Sequence, residues 1–264
     1  MKILNIINQK KLLEKLESHR VEFNSKKPFR YITIENFINS DYAEKILAEF
    51  PLITDKWKDA RGHNTQNKWA LPIIKDKIAS DFMKEAKSNE FLNYLSKLTS
   101  IPDLIFDSDL SGAGYHQSTD GGFLNVHVDF NKLETGNSIL DRRLNLIVYF
   151  NKNWVQDNGG FLELWDMDKK LLIENISPSF NRCVIFETNE ISFHGHPKPL
   201  KIGLDETRKS LSIYYYTKGR DDIERIDSHN TIYTNTESIL GFLKTFNNGI
   251  KHFYRKISKV FNRF

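Results

Sequence analysis

The sequence predicts a mainly β fold of the α+β class, an antiparallel double-sheet barrel of jelly-roll type with helices packed outside it. Two observations carry this. Residues 101–220 hold short β-branched or aromatic runs such as LNLIVYF, GFLELWD, RCVIFET and SLSIYYYT, separated by polar turns. No helical pattern falls between successive runs, which excludes a doubly wound sheet. A closed or double sheet of seven or eight such strands fits. The flanks instead repeat apolar residues at spacings of three and four, the mark of amphipathic helices.

In chain order, residues 1–100 read as a helical support region. Leu12, Leu13 and Leu16 lie at helical spacing among Lys and Glu, and Asp41 is placed to cap a helix presenting Ala43, Ile46, Leu47 and Phe50 before Pro51. FRYITIENF (residues 29–37) interrupts the helices with a strand-like alternation, and residues 76–98 return to helix. KDARGHNTQNKW (58–69) reads as a polar loop on a substrate rim or an ordinary solvated surface. Residues 101–220 form the barrel. Residues 221–264 form an extension ending in a basic amphipathic helix, with Ile239, Leu243, Phe246, Ile250, Phe253, Ile257, Val260 and Phe264 on one face and Lys and Arg around them. That helix is suited to docking on the domain, self-association or an anionic membrane surface.

Composition narrows the function classes. The 264 residues are 39% hydrophobic and include 19 Phe, 10 Tyr and 4 Trp, enough for a large core. No apolar stretch approaches the roughly 20 residues of a membrane span. The first residues break into charge before a secretory apolar region forms. The single cysteine, Cys183, excludes an internal disulfide framework and a multi-cysteine zinc site, so a cytoplasmic protein is expected. Cys183 itself reads as a small buried hydrophobe. A net charge of +4 with mixed signs argues against a nucleic-acid binder.

The segment with chemistry is Gly121 to Phe130, containing His127-Val128-Asp129. Residues two apart on a strand project to one side, so an imidazole and a carboxylate stand together there. An H-x-D pair is also what a structural histidine bonded to an aspartate produces. A third donor lies in SFHGHP (192–197), at His194 or His196. Two histidines and one carboxylate on a face of an octahedron suit a non-haem iron(II) centre. Further on, Arg208 and Ser210 share one side of a strand. A guanidinium inside a barrel demands an anionic partner, and a dicarboxylic cosubstrate provides one.

These landmarks, GYHQSTDGGFLNVHVDF, RRLNLIVYFN, NGGFLELWD, SFHGHP and RKSLSIYYYT, in this order, resemble the iron(II)/2-oxoglutarate-dependent dioxygenases of the prolyl-hydroxylase-like branch, the prolyl 4-hydroxylase alpha-subunit type. The resemblance is close over 111–217 and looser at IENFINSDYAEKIL (34–47). It implies a double-stranded β-helix, with Fe(II) held by His127, Asp129 and His194. His194 is preferred to His196 because it directly precedes the small residue of the turn. His196 is then a supporting or substrate-side histidine. The resemblance assigns the distal carboxylate of 2-oxoglutarate to Arg208, helped by Ser210 and by the phenol of Tyr115. It also implies O2 as co-reactant, ascorbate as reductant, and succinate and CO2 as products.

The substrate it implies is a protein or peptide side chain, with proline foremost. The alternatives are a small-molecule or sugar-precursor hydroxylase and a barrel that binds without turnover. Collagen-type enzymes carry lysine where this chain has Arg208, which weakens any inference to collagen-like substrates. Among the remaining residues, Trp165 and Tyr149 read as core, Asn145 as a core polar group or a cosubstrate contact, and Gly159-Gly160 as a turn.

Overall fold

The computed structural model describes residues 5–72, 77–136, 138–220, 227–234 and 236. The basic helix expected from Glu237 lies outside them. Among the described residues the helices are α1 (Gln9–Glu14), α2 (Leu16–Ser25), α3 (Ser40–Ala48), α4 (Lys77–Ala86) and α5 (Asn89–Thr99). The strands are β1 (Tyr31–Glu35), β2 (Lys58–Asp59), β3 (Thr65–Leu71), β4 (Ile105–Phe106), β5 (Gly114–Val128), β6 (Lys132–Thr135), β7 (Ser138–Tyr149), β8 (Leu162–Asp166), β9 (Leu171–Ile176), β10 (Arg182–Glu187), β11 (Phe193–His196), β12 (Arg208–Thr217) and β13 (Ile232–Tyr233). No described helix is long and apolar enough to cross a membrane.

Helix boundaries follow capping chemistry. Ser88 caps α5, its Oγ accepting from the Phe91 amide at 3.2 Å, and Ser100 closes the helix in the left-handed conformation. Helix α3 starts at Ser40 behind Asn39, whose carbonyl accepts from the Tyr42 and Ala43 amides. Asp41 sits in the first turn instead of at the cap, where its charge still favours the helix dipole.

The strands run antiparallel in the order β1-β10-β7-β12-β5-β11-β8-β9, with β3 and β13 also pairing β5. The sheet curls, so that β5, β7, β8, β11 and β12 all contribute residues to one cavity. This is the jelly-roll architecture. The sheet also draws on residues before 101: β1 pairs β10, and β3 pairs the first half of β5. The KDARGHNTQNKW segment is therefore not a plain loop: it carries β2 and most of β3, and Lys68 within it lines the cavity. Its alternation is masked by polar side chains on both faces.

Strand parity divides two environments. Leu144, Leu146 and Val148 of β7, Cys183 and Ile185 of β10, and Leu211, Ile213 and Tyr215 of β12 face the helices in the main core. Their neighbours Asn145, Ile147, Tyr149, Ser210, Ser212 and Tyr214 face the cavity. Val184 and Phe186 pack with Tyr149, Leu162 and Leu164 in a second cluster inside the roll. The helices thus seal the outer face of the sheet, and its inner face is left for polar work.

Candidate metal centre

His127 lies near the end of β5, and Asp129 follows the strand's last residue. The adjacent strand β11 sets His194 directly opposite His127. His127 Nε2 is 3.5 Å from Asp129 Oδ1, and His194 Nε2 is 3.4 Å from Asp129 Oδ2. One donor atom from each residue lies within 4.8 Å of the others. His127 Nδ1 donates to the Asn125 carbonyl and His194 Nδ1 to the Ser192 carbonyl, both at 2.9 Å. Each Nδ1 thereby holds the proton, and each Nε2 presents a lone pair inward. Two neutral imidazoles and a carboxylate converging this way fit a divalent first-row metal and leave several coordination positions open.

The carboxylate is held in place. Asp129 Oδ2 accepts from Asn145 Nδ2 at 2.6 Å and lies 3.0 Å from Arg142 Nη2. Burial alone would raise the Asp129 pKa, but Arg142 and the two histidines outweigh it and hold the group well below the usual carboxylate range. Arg142 is itself buried, tied to Asn145 Oδ1 at 2.6 and 3.0 Å and stacked on the Tyr214 and Phe130 rings. Simple parity would turn Arg142 away from Asn145. A register shift opposite Tyr215 and Tyr216 brings it to the same side.

Beyond this cluster the cavity, about 230 Å³, runs to Arg208 and Ser210 on β12. Arg208 Nε donates to the Gly160 carbonyl at 2.6 Å, and Nη2 lies 3.4 Å from the Tyr149 hydroxyl. Gly160 has φ +65°, and a Cβ there would come within 2.2 Å of Leu200 Cδ2 and 3.0 Å of Arg208 Cδ. The Gly159-Gly160 turn is therefore a cradle for the arginine.

Tyr115 is elsewhere. It packs on Phe50 and Trp57 at ring distances of 4.8 and 6.4 Å, in the helix-side core. The register explains this: Tyr115 pairs with Leu211, and Leu211 with Val148, a row facing the helices. The next row, His116, Ser210 and Tyr149, faces the cavity. Tyr149 therefore stands at Arg208 where Tyr115 was expected. His196 also lines the cavity but lies outside the three-residue cluster. Lys68 and His116 line the same wall, with Lys68 Nζ 3.1 Å from His116 Nδ1. Nothing in a polar run between turns marks Lys68 in the sequence.

Three buried imidazoles here resist protonation. Burial, then Lys68, lowers His116 well below 6.5. Burial, then Arg208, does the same to His196. Burial, then His127, lowers His194 to about 4. An unfolded chain binds these protons near pH 6.5, whereas the folded protein binds the one on His194 only near pH 4. Stability of the metal-free protein therefore falls as pH drops below 6.5. The slope reaches about 1.4 kcal/mol per pH unit for each histidine. Urea midpoints at pH 7 and pH 5 in chelator measure this, and a midpoint that does not fall would contradict it.

Comparison with known proteins places this fold among similar proteins. The family model of the 2OG-Fe(II) oxygenase superfamily matches residues 113–216. Prolyl 3-hydroxylase OGFOD1 of Mus musculus is 32% identical over 197 residues, covering 72% of this chain and 33% of its own length. The chain thus spans about a third of the length of the curated relatives it matches. A Trichoplax adhaerens prolyl hydroxylase, solved with a hypoxia inducible factor peptide, aligns with a TM-score of 0.55 at 17% identity, over 78% of this chain and 92% of that one. HygX of Streptomyces hygroscopicus, solved with nickel and 2-oxoglutarate, aligns with a TM-score of 0.51 at 13% identity, over 80% and 97%. At these identities the two structures speak for the fold.

Proposed function

The chain belongs to the 2-oxoglutarate/iron(II) oxygenases of the prolyl-hydroxylase-like kind, and from that premise we propose that it hydroxylates an unactivated C–H bond in a protein or peptide side chain, proline foremost. One observation carries the reading: His127, Asp129 and His194 converge beside a buried Arg208 in a single cavity. Ferrous iron with 2-oxoglutarate and O2 supplies, when bound, an oxidant strong enough for such a bond, releasing succinate and CO2.

The protein's own part is binding, orientation and exclusion of water. His127 and His194 offer Nε2, their protons locked on Nδ1 by backbone carbonyls. Asp129 supplies the one anionic donor, and Arg142 and Asn145 keep it from turning. Arg208 would hold the distal carboxylate of 2-oxoglutarate, with the Tyr149 hydroxyl beside the guanidinium and Ser210 on the same cavity wall. The reaction needs no general base from the protein. The prolyl substrate draws support from the mouse relative, named a prolyl 3-hydroxylase. A small-molecule substrate is the second reading, because HygX, which shares the fold, is also solved with hygromycin B bound. We assign the protein to the cytoplasm on its single, buried, unpaired cysteine.

The test is succinate release with Fe(II), 2-oxoglutarate and ascorbate over a panel of prolyl peptides, amino acids and cell extract, with mass spectrometry for a gain of one oxygen. Metal-dependent succinate that rises with a prolyl peptide supports the proposal. Release stimulated only by a small molecule moves it to the second reading. Metal-replete protein that neither binds nor consumes 2-oxoglutarate refutes it.

A further inference from the structure

Lys68 is a half-buried cation that the proposed reaction has not used. It stands on β3, directly opposite Ser118 of β5, and Arg208 of β12 stands opposite the same Ser118 from the other side. All three line the cavity. Adjacent strands lie about 4.8 Å apart, so the two cations flank one serine across a span of about 10 Å, which their long side chains can close. The same cavity is also lined by the His116 and His196 imidazoles.

The charges on this wall do not balance. Among the described residues lining the cavity, Asp129 is the one carboxylate, and it is already engaged by Arg142 and Asn145. Burial, reinforced by Arg208, lowers the Lys68 pKa to about 8, which still leaves the ammonium largely charged at neutral pH. Its hydrogen-bond partner is the neutral His116 ring, not an acid. His196 is 4% exposed, and neither of its ring nitrogens has a hydrogen-bond partner among the described residues. Two like charges facing one low-dielectric space, beside an unpartnered imidazole, are costly until an anion enters. A carboxylate, with about four lone-pair sites, can meet a guanidinium and an ammonium together.

We propose that Lys68 is the second arm of a carboxylate clamp, closing on the distal carboxylate of the cosubstrate from the side opposite Arg208. The assignment rests on the oxygenase reading of the site. An acidic group on the prime substrate shares the same chemistry, and the test separates the two. The clamp makes the site selective for dicarboxylic over monocarboxylic 2-oxo acids.

The experiment measures binding of 2-oxoglutarate and of 2-oxobutyrate, which keeps the chelating end and lacks the distal carboxylate, to the Ni(II)-loaded protein. Lys68→Met is expected to weaken 2-oxoglutarate by about tenfold or more and to leave 2-oxobutyrate unchanged. Lys68→Arg, which keeps the charge, is expected to stay closer to wild type for both acids. Lys68→Met should melt no lower than wild type without ligand, since it removes a like charge facing Arg208 across the cavity wall. Wild-type affinity for 2-oxoglutarate in Lys68→Met overturns the clamp and moves the lysine to the prime substrate. Equal weakening of both acids, or an Arg variant as weak as the Met variant, also overturns it. Ni(II)-loaded wild type that binds neither acid sinks the oxygenase reading itself, a pattern distinct from the others.

Discussion

Asp129→Ala is expected to abolish Fe(II) binding and turnover and to destabilise the metal-free fold. Of the three converging donors only Asp129 is anionic, so its removal leaves two neutral imidazoles to hold a dication. Loss of a contact that merely supports a ligand costs about 10–100-fold in metal affinity, and loss of the ligand itself costs at least that. The effect on stability comes from Arg142. Arg142 is 1% exposed, and without Asp129 it is left, among the described residues, with Asn145 and the Tyr214 and Phe130 side chains. Breaking one side of such a pair costs about 3 kcal/mol. Co(II) titration and urea denaturation of the metal-free protein measure the two effects separately. In Asp129→Ala/Arg142→Met the stability loss shrinks while metal binding stays absent. An alanine variant that still retains metal places the binding site elsewhere.

The split between those two effects mirrors what was legible in the sequence. His127 and Asp129 lie two apart on one strand, and alternation alone sets them on one side. Arg208 and Ser210 follow the same rule, and both line the cavity. Alternation could not reveal that Tyr115 falls on the helix side, because that depends on which residue of β12 it meets. A pairing offset of one residue moves every side chain to the other face. The pairing of Tyr115 with Leu211 decides it. Arg142 escaped for a related reason, since a bulge re-aims it. Lys68 follows three polar residues, Thr65 to Asn67, on both faces of the strand, so its side is not marked until β5 is beside it. Choosing His194 over His196 came from resemblance, and its physical basis is the pairing of His194 with His127.

Arg208→Ala is expected to spare the metal and weaken 2-oxoglutarate. Arg208 lines the same cavity but is not one of the three donors, and its guanidinium contacts the Gly160 carbonyl and the Tyr149 hydroxyl. Removing it leaves Nε2 of both histidines and the Asp129 contacts intact, so Co(II) affinity should match wild type. The distal carboxylate then enters a buried space with only Lys68, the Tyr149 hydroxyl and neutral imidazoles to meet it. Truncating one side of a buried charged contact costs about 2–5 kcal/mol, which predicts a rise in the 2-oxoglutarate KM of about 30-fold or more. Arg208→Lys recovers only part, because a point charge lacks the fork that reaches the Gly160 carbonyl and the carboxylate together. Steady-state KM for 2-oxoglutarate beside metal titration checks this. A wild-type requirement in Arg208→Ala would assign the anchor to another cation, and Lys68 is the one the sheet places across from it.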